Sequence, residues 1–98
     1  MRFTLADYGK VFSTRPRGAE LLAVVESQAP RGVVVEIDFE GVQSVSYSFV
    51  DEFLGALVER ASRPNAFDVA VINAPTRFQR VIDGSLASRG LDDALLAA

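Results

Sequence analysis

Between Gly32 and Arg60 the hydrophobic period of the chain changes from two residues to nearly four, and this change constrains the fold more than any other feature. Val33, Val35, Ile37 and Phe39 alternate with Val34, Glu36 and Asp38, as in a strand with one buried face. From about Ser48 to Ser62 the pattern becomes helical. Phe49, Val50, Phe53, Leu54, Leu57 and Val58 cover one half of the cylinder, and Asp51, Glu52, Gly55 and Glu59 share the other. A short turn rich in hydroxyls, Ser44, Ser46, Tyr47 and Ser48, joins the two. Asp51 and Glu52 in the first turn and Arg60 and Arg63 near the end match the helix dipole, and Pro64-Asn65 should stop the helix.

The flanking segments repeat the theme. Arg2 to Asp7 alternates, with Phe3 and Leu5 on one side, which predicts a first strand before the turn at Tyr8-Gly9-Lys10. Ser13 or Thr14 then caps a helix with Pro16 in its first turn, whose apolar stripe is Leu21, Leu22 and Val25 with Val24 alongside, ending near Ser27 to Pro30. Phe67 to Ile72 reads as a third strand. Asn73-Ala74-Pro75 opens another helix carrying Phe78, Val81 and Ile82, closed at Gly84 or Gly90. Leu91 to Ala98 is an apolar tail, a short docking helix or a frayed end, and it leaves room for a homodimer.

Strands alternating with helices give an α/β fold: one domain over residues 1–98, with a small mixed β-sheet. The central strand is polar on its second face, so helices are expected mainly on one face of the sheet. For Glu36 and Asp38 the simplest account is a solvated second face.

Composition narrows the function. The chain has no cysteine and no histidine, which removes disulfides, thiol nucleophiles, thiolate zinc sites and the commonest general base. A net charge of −3 gives no electrostatic footprint for nucleic acid or an anionic membrane. Neither a secretion signal nor a membrane-spanning stretch is present in the sequence, and a cytoplasmic address is the default expectation. No enzyme, metal site or cofactor is expected.

The chemistry that remains lies at the central turn. Ser48 is placed to cap the helix, with Asp51 at the spacing of a capping box, and as a cap it contributes about 1 kcal/mol. The same hydroxyl at a helix start is a candidate for phosphorylation. A phosphate there is welcomed by the helix N-terminus but repelled by Asp51 and Glu52, so the fold should survive while the local surface changes. Ser44 satisfies the backbone of an irregular connection. Tyr47 is either an exposed contact residue or a lid over the edge of the core.

The run Ile37-Asp38-Phe39-Glu40-Gly41-Val42, followed by Ser46-Tyr47-Ser48-Phe49-Val50-Asp51-Glu52-Phe53-Leu54-Gly55, resembles the STAS-like family of bacterial domains of unknown function, relatives of the anti-sigma factor antagonists. Phe12-Ser13-Thr14-Arg15, with Gly18 behind it, fits the same pattern. The resemblance implies a STAS-like fold and a partner-binding surface at Ser46, Tyr47, Ser48, Asp51 and Glu52. It also implies Ser48 as a phosphoacceptor for a histidine-kinase-like ATPase, with that ATPase or an anti-sigma factor as protein partner. Where the antagonists read Asp-Ser-Ser-Gly-Leu, this chain has Ser46-Tyr47-Ser48-Phe49-Val50, so a serine replaces the aspartate and a phenylalanine the glycine.

Two other readings compete with this regulatory module. One is an unswitched structural contact domain, with Arg15 and Arg17 as its anchor or as a site for an acidic partner; the ordinary account of these arginines is solvated charge near a helix start. The other is a receiver-like phosphoacceptor, in which Asp38 at a strand end binds magnesium with oxygens from Glu36, Glu40, Asp51 or Glu52.

Overall fold

The structure, a computed structural model, describes residues 1–63 and 66–96. Pro64 and Asn65, expected to end the central helix, lie outside the described residues, as do the last two residues of the tail. The elements in chain order are β1 (Arg2–Thr4), a 3-10 turn (Leu5–Tyr8), β2 (Val11–Phe12), α1 (Arg15–Gln28), β3 (Val34–Asp38) and β4 (Ser44–Val45). A continuous central helix follows, made of α2 (Tyr47–Val50), a π-helical segment (Asp51–Gly55) and α3 (Ala56–Ala61). Then come β5 (Asp68–Ile72) and α4 (Thr76–Ser88).

The main sheet has the order β1-β3-β5, and both pairings are parallel, with Phe3 opposite Ile37 and Ile37 opposite Val71. The α/β class holds, but the expected mixed sheet is a parallel one among the described strands. The physical reason is connectivity. Each successive pair of sheet strands is separated by a helix that carries the chain back to the end where it started, and only parallel strands need such a crossover. The first strand is also shorter than its alternation suggests: after Thr4 the chain coils into the 3-10 turn, which still drops Leu5 into the core.

A second, two-stranded sheet pairs β2 with β4, Val11 opposite Ser44 and Phe12 opposite Val45. Strands of two residues carry too little alternation to be read from sequence. This small ribbon matters because it fixes the turn before the central helix.

The core lies between the main sheet and the helices. Phe3, Val35, Ile37, Phe39, Val69 and Val71 face Phe49, Phe53, Leu54, Leu57 and Val58. A chain of rings runs through it: Phe12 to Phe49 at 4.9 Å between centroids, Phe49 to Phe53 at 5.5 Å and Phe53 to Phe3 at 5.9 Å. Each buried ring or leucine contributes about 1.5–3 kcal/mol, so the central helix is held chiefly by its apolar face. On the other face of the sheet Arg2, Val34 and Asp68 are exposed and Arg2 pairs with Glu36, while Ala70 and Asp38 on that face are buried.

Local chemistry starts and ends α1, and ends α4, where the sequence indicates. Thr14 Oγ1 accepts from the Arg17 amide at the start of α1, and Ala29 N–H closes its last turn on Val25 before Pro30. At the end of α4, Gly90 takes a positive φ of 69° while the Gly90 and Leu91 amides bond back to Ala87 and Leu86, the Schellman arrangement. The described part of the tail is not helical. The Leu96 amide instead donates to the Val69 carbonyl at 2.9 Å, laying the tail on the outer strand of the sheet. Among the described residues no helix is long and apolar enough to cross a membrane.

Candidate functional site

The turn from Gly41 to Ser46 is tied down at its backbone. Gln43 and Ser44 amides donate to the Lys10 carbonyl at 2.8 and 3.2 Å, and the Ser46 amide donates to Phe12 at 2.9 Å. Phe12, itself buried, packs on Phe49 beneath the turn with the ring planes tilted by 35°. The hydroxyl-rich segment is therefore carried on a rigid base.

Ser46, not Ser48, caps the central helix. Its Oγ accepts from the Phe49 amide at 3.1 Å, and its backbone is extended while Tyr47 begins the helix. The helix starts a residue before the apolar pattern indicates, because Ser46 sits at the end of the β2–β4 ribbon and its cap is set by that pairing. Ser48 thus falls at the second helical position, half-buried, and its hydroxyl makes no side-chain hydrogen bond among the described residues. Tyr47 is both exposed and braced by the fold. It is 44% exposed, yet its hydroxyl lies 2.9 Å from Ser88 Oγ, which itself donates to the Gly84 carbonyl, so the ring rests against α4.

Asp51 was expected at a docking surface, and the structure turns it inward. Arg89 Nε lies 3.0 Å and Ser85 Oγ 2.8 Å from its Oδ1, and Arg15 Nη1 lies 2.9 Å from its Oδ2. Arg89, Arg15 and Ser85 together hold its carboxyl far below the ordinary carboxylate range, against the opposing effect of burial. The carboxylate ties α1 and α4 to the central helix. No capping box with Ser48 forms.

The reason for the difference is the face that the helical wheel assigned to solvent. Gly55 is buried, and a Cβ there would lie 2.6 Å from Ser85 Oγ and 2.8 Å from Arg89 Nε, so α4 packs directly onto that side. Gly18 does the same for α1, where a Cβ would lie 2.9 Å from the Phe49 carbonyl oxygen. Two glycines let two helices close on the central one. The π-helical segment, Asp51 to Gly55, takes part in both contacts, through Glu52 and Phe53 against Gly18 and through Gly55 itself against α4.

Glu52 remains partly exposed and pairs with Arg15 at 3.7 Å. Arg15 is consequently an exposed charge that also pairs with Asp51 and Glu52, and Arg17 bonds Glu20 and the Tyr8 carbonyl. Ser85 and Arg89 were not legible as site residues: nothing in their own segment signals a partner on another helix.

Asp38 is also corrected. It is 5% exposed rather than on a solvated face, and its Oδ1 accepts from the Asn73 side chain at 3.0 Å and the Glu40 amide at 2.9 Å. These two donors lower its pKa despite burial. Asn73 adopts a positive φ of 57°, which asparagine tolerates, and so closes the ends of β3 and β5 together. Asp38 is spent on the fold there, and among the described residues no group of three or more acidic side chains gathers as a metal site would need.

Comparison with curated proteins and with solved structures returns no match. Residues 17–72 match the model of the STAS-like domain of unknown function (DUF4325), a span that runs from the first turn of α1 to the end of β5 and contains the capped turn, the central helix and Asp51. With more than half of its length in that match, the chain belongs to the STAS-like domain family of unknown function.

Proposed function

We propose that this chain is a non-enzymatic regulatory module of the cytoplasm that docks a protein partner through the turn before the central helix, with Ser48 as the residue a kinase modifies. The observation that supports the reading most is the division of labour between the two serines. Ser46 carries the cap, so the Ser48 hydroxyl is free of any structural duty that phosphorylation would destroy. Tyr47 beside it is 44% exposed and braced by Ser88, which suits an interface anchor of low entropic cost. The contact surface is Ser46, Tyr47, Ser48 and Glu52; Asp51 supports it from within.

The likeness to anti-sigma factor antagonists makes a histidine-kinase-like ATPase or an anti-sigma factor the partner to test first. A phosphate on Ser48 would stand one helical turn from Asp51 and Glu52, changing the surface charge without breaking the helix. Wild type, Ser48→Ala, Ser48→Asp and Tyr47→Ala proteins would be used to capture partners from the native host, and the purified wild type examined by intact-mass analysis. The expected result is one partner held by wild type and Ser48→Ala and lost with Ser48→Asp and Tyr47→Ala, or a phosphate mapped to Ser48. Equal capture by all four proteins with no phosphate would refute the reading.

A further inference from the structure

Five of the ten basic residues, Lys10, Arg15, Arg17, Arg77 and Arg80, fall in two stretches, 8–18 and 69–82, which Asp7, Asp68 and Asp83 border; a third stretch, 41–50, is uncharged and lies between Glu40 and Asp51. The fold brings these stretches together at one pole. Lys10 receives the Gln43 and Ser44 amides at its carbonyl, and Arg77 Nη2 donates to the Gln43 carbonyl at 3.1 Å, joining the ribbon to the first turn of α4. Arg15 and Arg17 are occupied by Asp51, Glu52 and Glu20. Lys10, Arg77 and Arg80 are exposed and make no ion pair among the described residues.

On α4, Arg77, Arg80, Gly84 and Ser88 share one stripe at helical spacing. The segment 43–47 runs beside that stripe, with Gln43 held by Arg77 at one end and Tyr47 held by Ser88 at the other. Exposed Ser44 lies between those ends, and Val11, opposite Ser44 in the ribbon, is 61% exposed. The pole thus combines three cations that make no ion pair among the described residues, of which Arg77 bonds Gln43 and lies over the Phe78 ring, with a hydroxyl and two apolar contacts, in a domain whose net charge is −3.

We propose that this pole receives an acidic segment of a protein partner, its carboxylates on Lys10, Arg77 and Arg80 and its apolar side chains on Val11 and Tyr47. The inference rests on the docking function proposed above and names the chemistry of the partner. Charge complementarity selects the occupant: like charges across the pole would repel, and acidic ones are steered to it. A nucleic acid is a poor fit, since a duplex carries one charge per roughly 1.7 Å and would meet the acidic remainder of the domain on either side of three cations.

The test is amide-resonance mapping of the isotopically labelled protein with three probes: a short peptide of alternating glutamate and leucine, its lysine–leucine counterpart, and a short DNA duplex. The acidic peptide is expected to perturb the ribbon, the segment 43–47 and the first turns of α4. Its affinity should fall at least about tenfold in an Arg77→Glu/Arg80→Glu variant that keeps the wild-type spectrum elsewhere, and fall again between about 50 and about 300 mM salt. Binding that is no tighter than that of the basic peptide or the duplex overturns the proposal, as do perturbations centred on Arg31 or Arg63. So does self-association abolished by the same variant, which would make a second copy the occupant. The two readings fail separately. If a captured partner is retained by Arg77→Glu/Arg80→Glu but lost with Tyr47→Ala, the acidic partner is wrong and the docking turn stands; if Tyr47→Ala and Ser48→Asp both retain it, the docking turn itself is wrong.

Discussion

Arg89 closes on Asp51 across 38 residues of sequence, with Nε 3.0 Å from the carboxylate and Nη2 3.1 Å from the Asp51 carbonyl oxygen. One guanidinium thereby satisfies a half-buried charge and the backbone at the start of the π-helical segment, whose Asp51 carbonyl also accepts from the Ala56 amide. Arg15 reaches the same carboxylate from α1. A single acid on the central helix, on the side opposite the apolar core, therefore bridges all three helices.

Removing Arg89 leaves Asp51 short of its main partner in a site that water reaches poorly. Arg89→Ala is expected to destabilise the fold by about 2–3 kcal/mol. A double-mutant cycle with Asp51→Asn, read by urea unfolding, should show coupling above about 1 kcal/mol; additive effects would mean that the pair is a surface contact only.

Three helical glycines should respond to alanine with different signs. Gly18 faces the Phe49 carbonyl and Glu52 Cβ at 2.9 and 3.0 Å, contacts that cannot yield without moving α1, so Gly18→Ala is expected to cost about 1–3 kcal/mol. Gly55→Ala should also destabilise, by pushing Ser85 and Arg89 away from Asp51. At Gly84 the nearest atom to a new Cβ is Tyr47 Cε2 at 3.8 Å, ordinary contact, and Gly84→Ala should stabilise by up to about 1 kcal/mol. Thermal unfolding of the three variants checks the order.

The acid limb of stability should belong largely to Asp51, with a smaller part from Asp38. Both carboxyls are held below their unfolded-state values. For such groups the unfolded chain binds the proton first, so their contribution is complete above the unfolded aspartate pKa of about 3.9 and is lost as pH falls through the folded value. Unfolding free energy measured from about pH 6 down to about pH 2 should fall steeply below pH 4 in wild type. Asp51→Asn should start lower and fall less; an unchanged slope would remove Asp51 from the account.

Ser46→Ala is expected to cost about 1 kcal/mol through the lost cap, and Ser48→Ala to stay within about 0.5 kcal/mol of wild type. Chemical denaturation of the two variants measures this. A reversed order would return the cap to Ser48.

Much of the scaffold is legible in the residues themselves. The alternation at Val33 to Phe39 and the helical spacing from Phe49 to Val58 placed β3, the central helix and nearly the whole core, because burial of apolar side chains is a local pattern with a fixed period. Pro16 marked a helix start for an equally local reason, and of the residues offered as helix ends, Ser13 or Thr14 and Gly84 or Gly90, the structure uses Thr14 and Gly90. The family resemblance pointed to the turn that the ribbon presents. The direction of strand pairing, the identity of the cap and the fate of Asp51 and Asp38 were decided by the tertiary structure. Each depends on a group brought from elsewhere in the chain: the Phe12 carbonyl that fixes Ser46, the Asn73 side chain on Asp38, and Arg89 and Ser85 on Asp51. Hydrophobic period reports whether a face is buried in apolar surroundings, and it reads a glycine and an aspartate as solvent. Here a helix packs on that glycine and a guanidinium neutralises that aspartate, and only the three-dimensional arrangement of the helices supplies both.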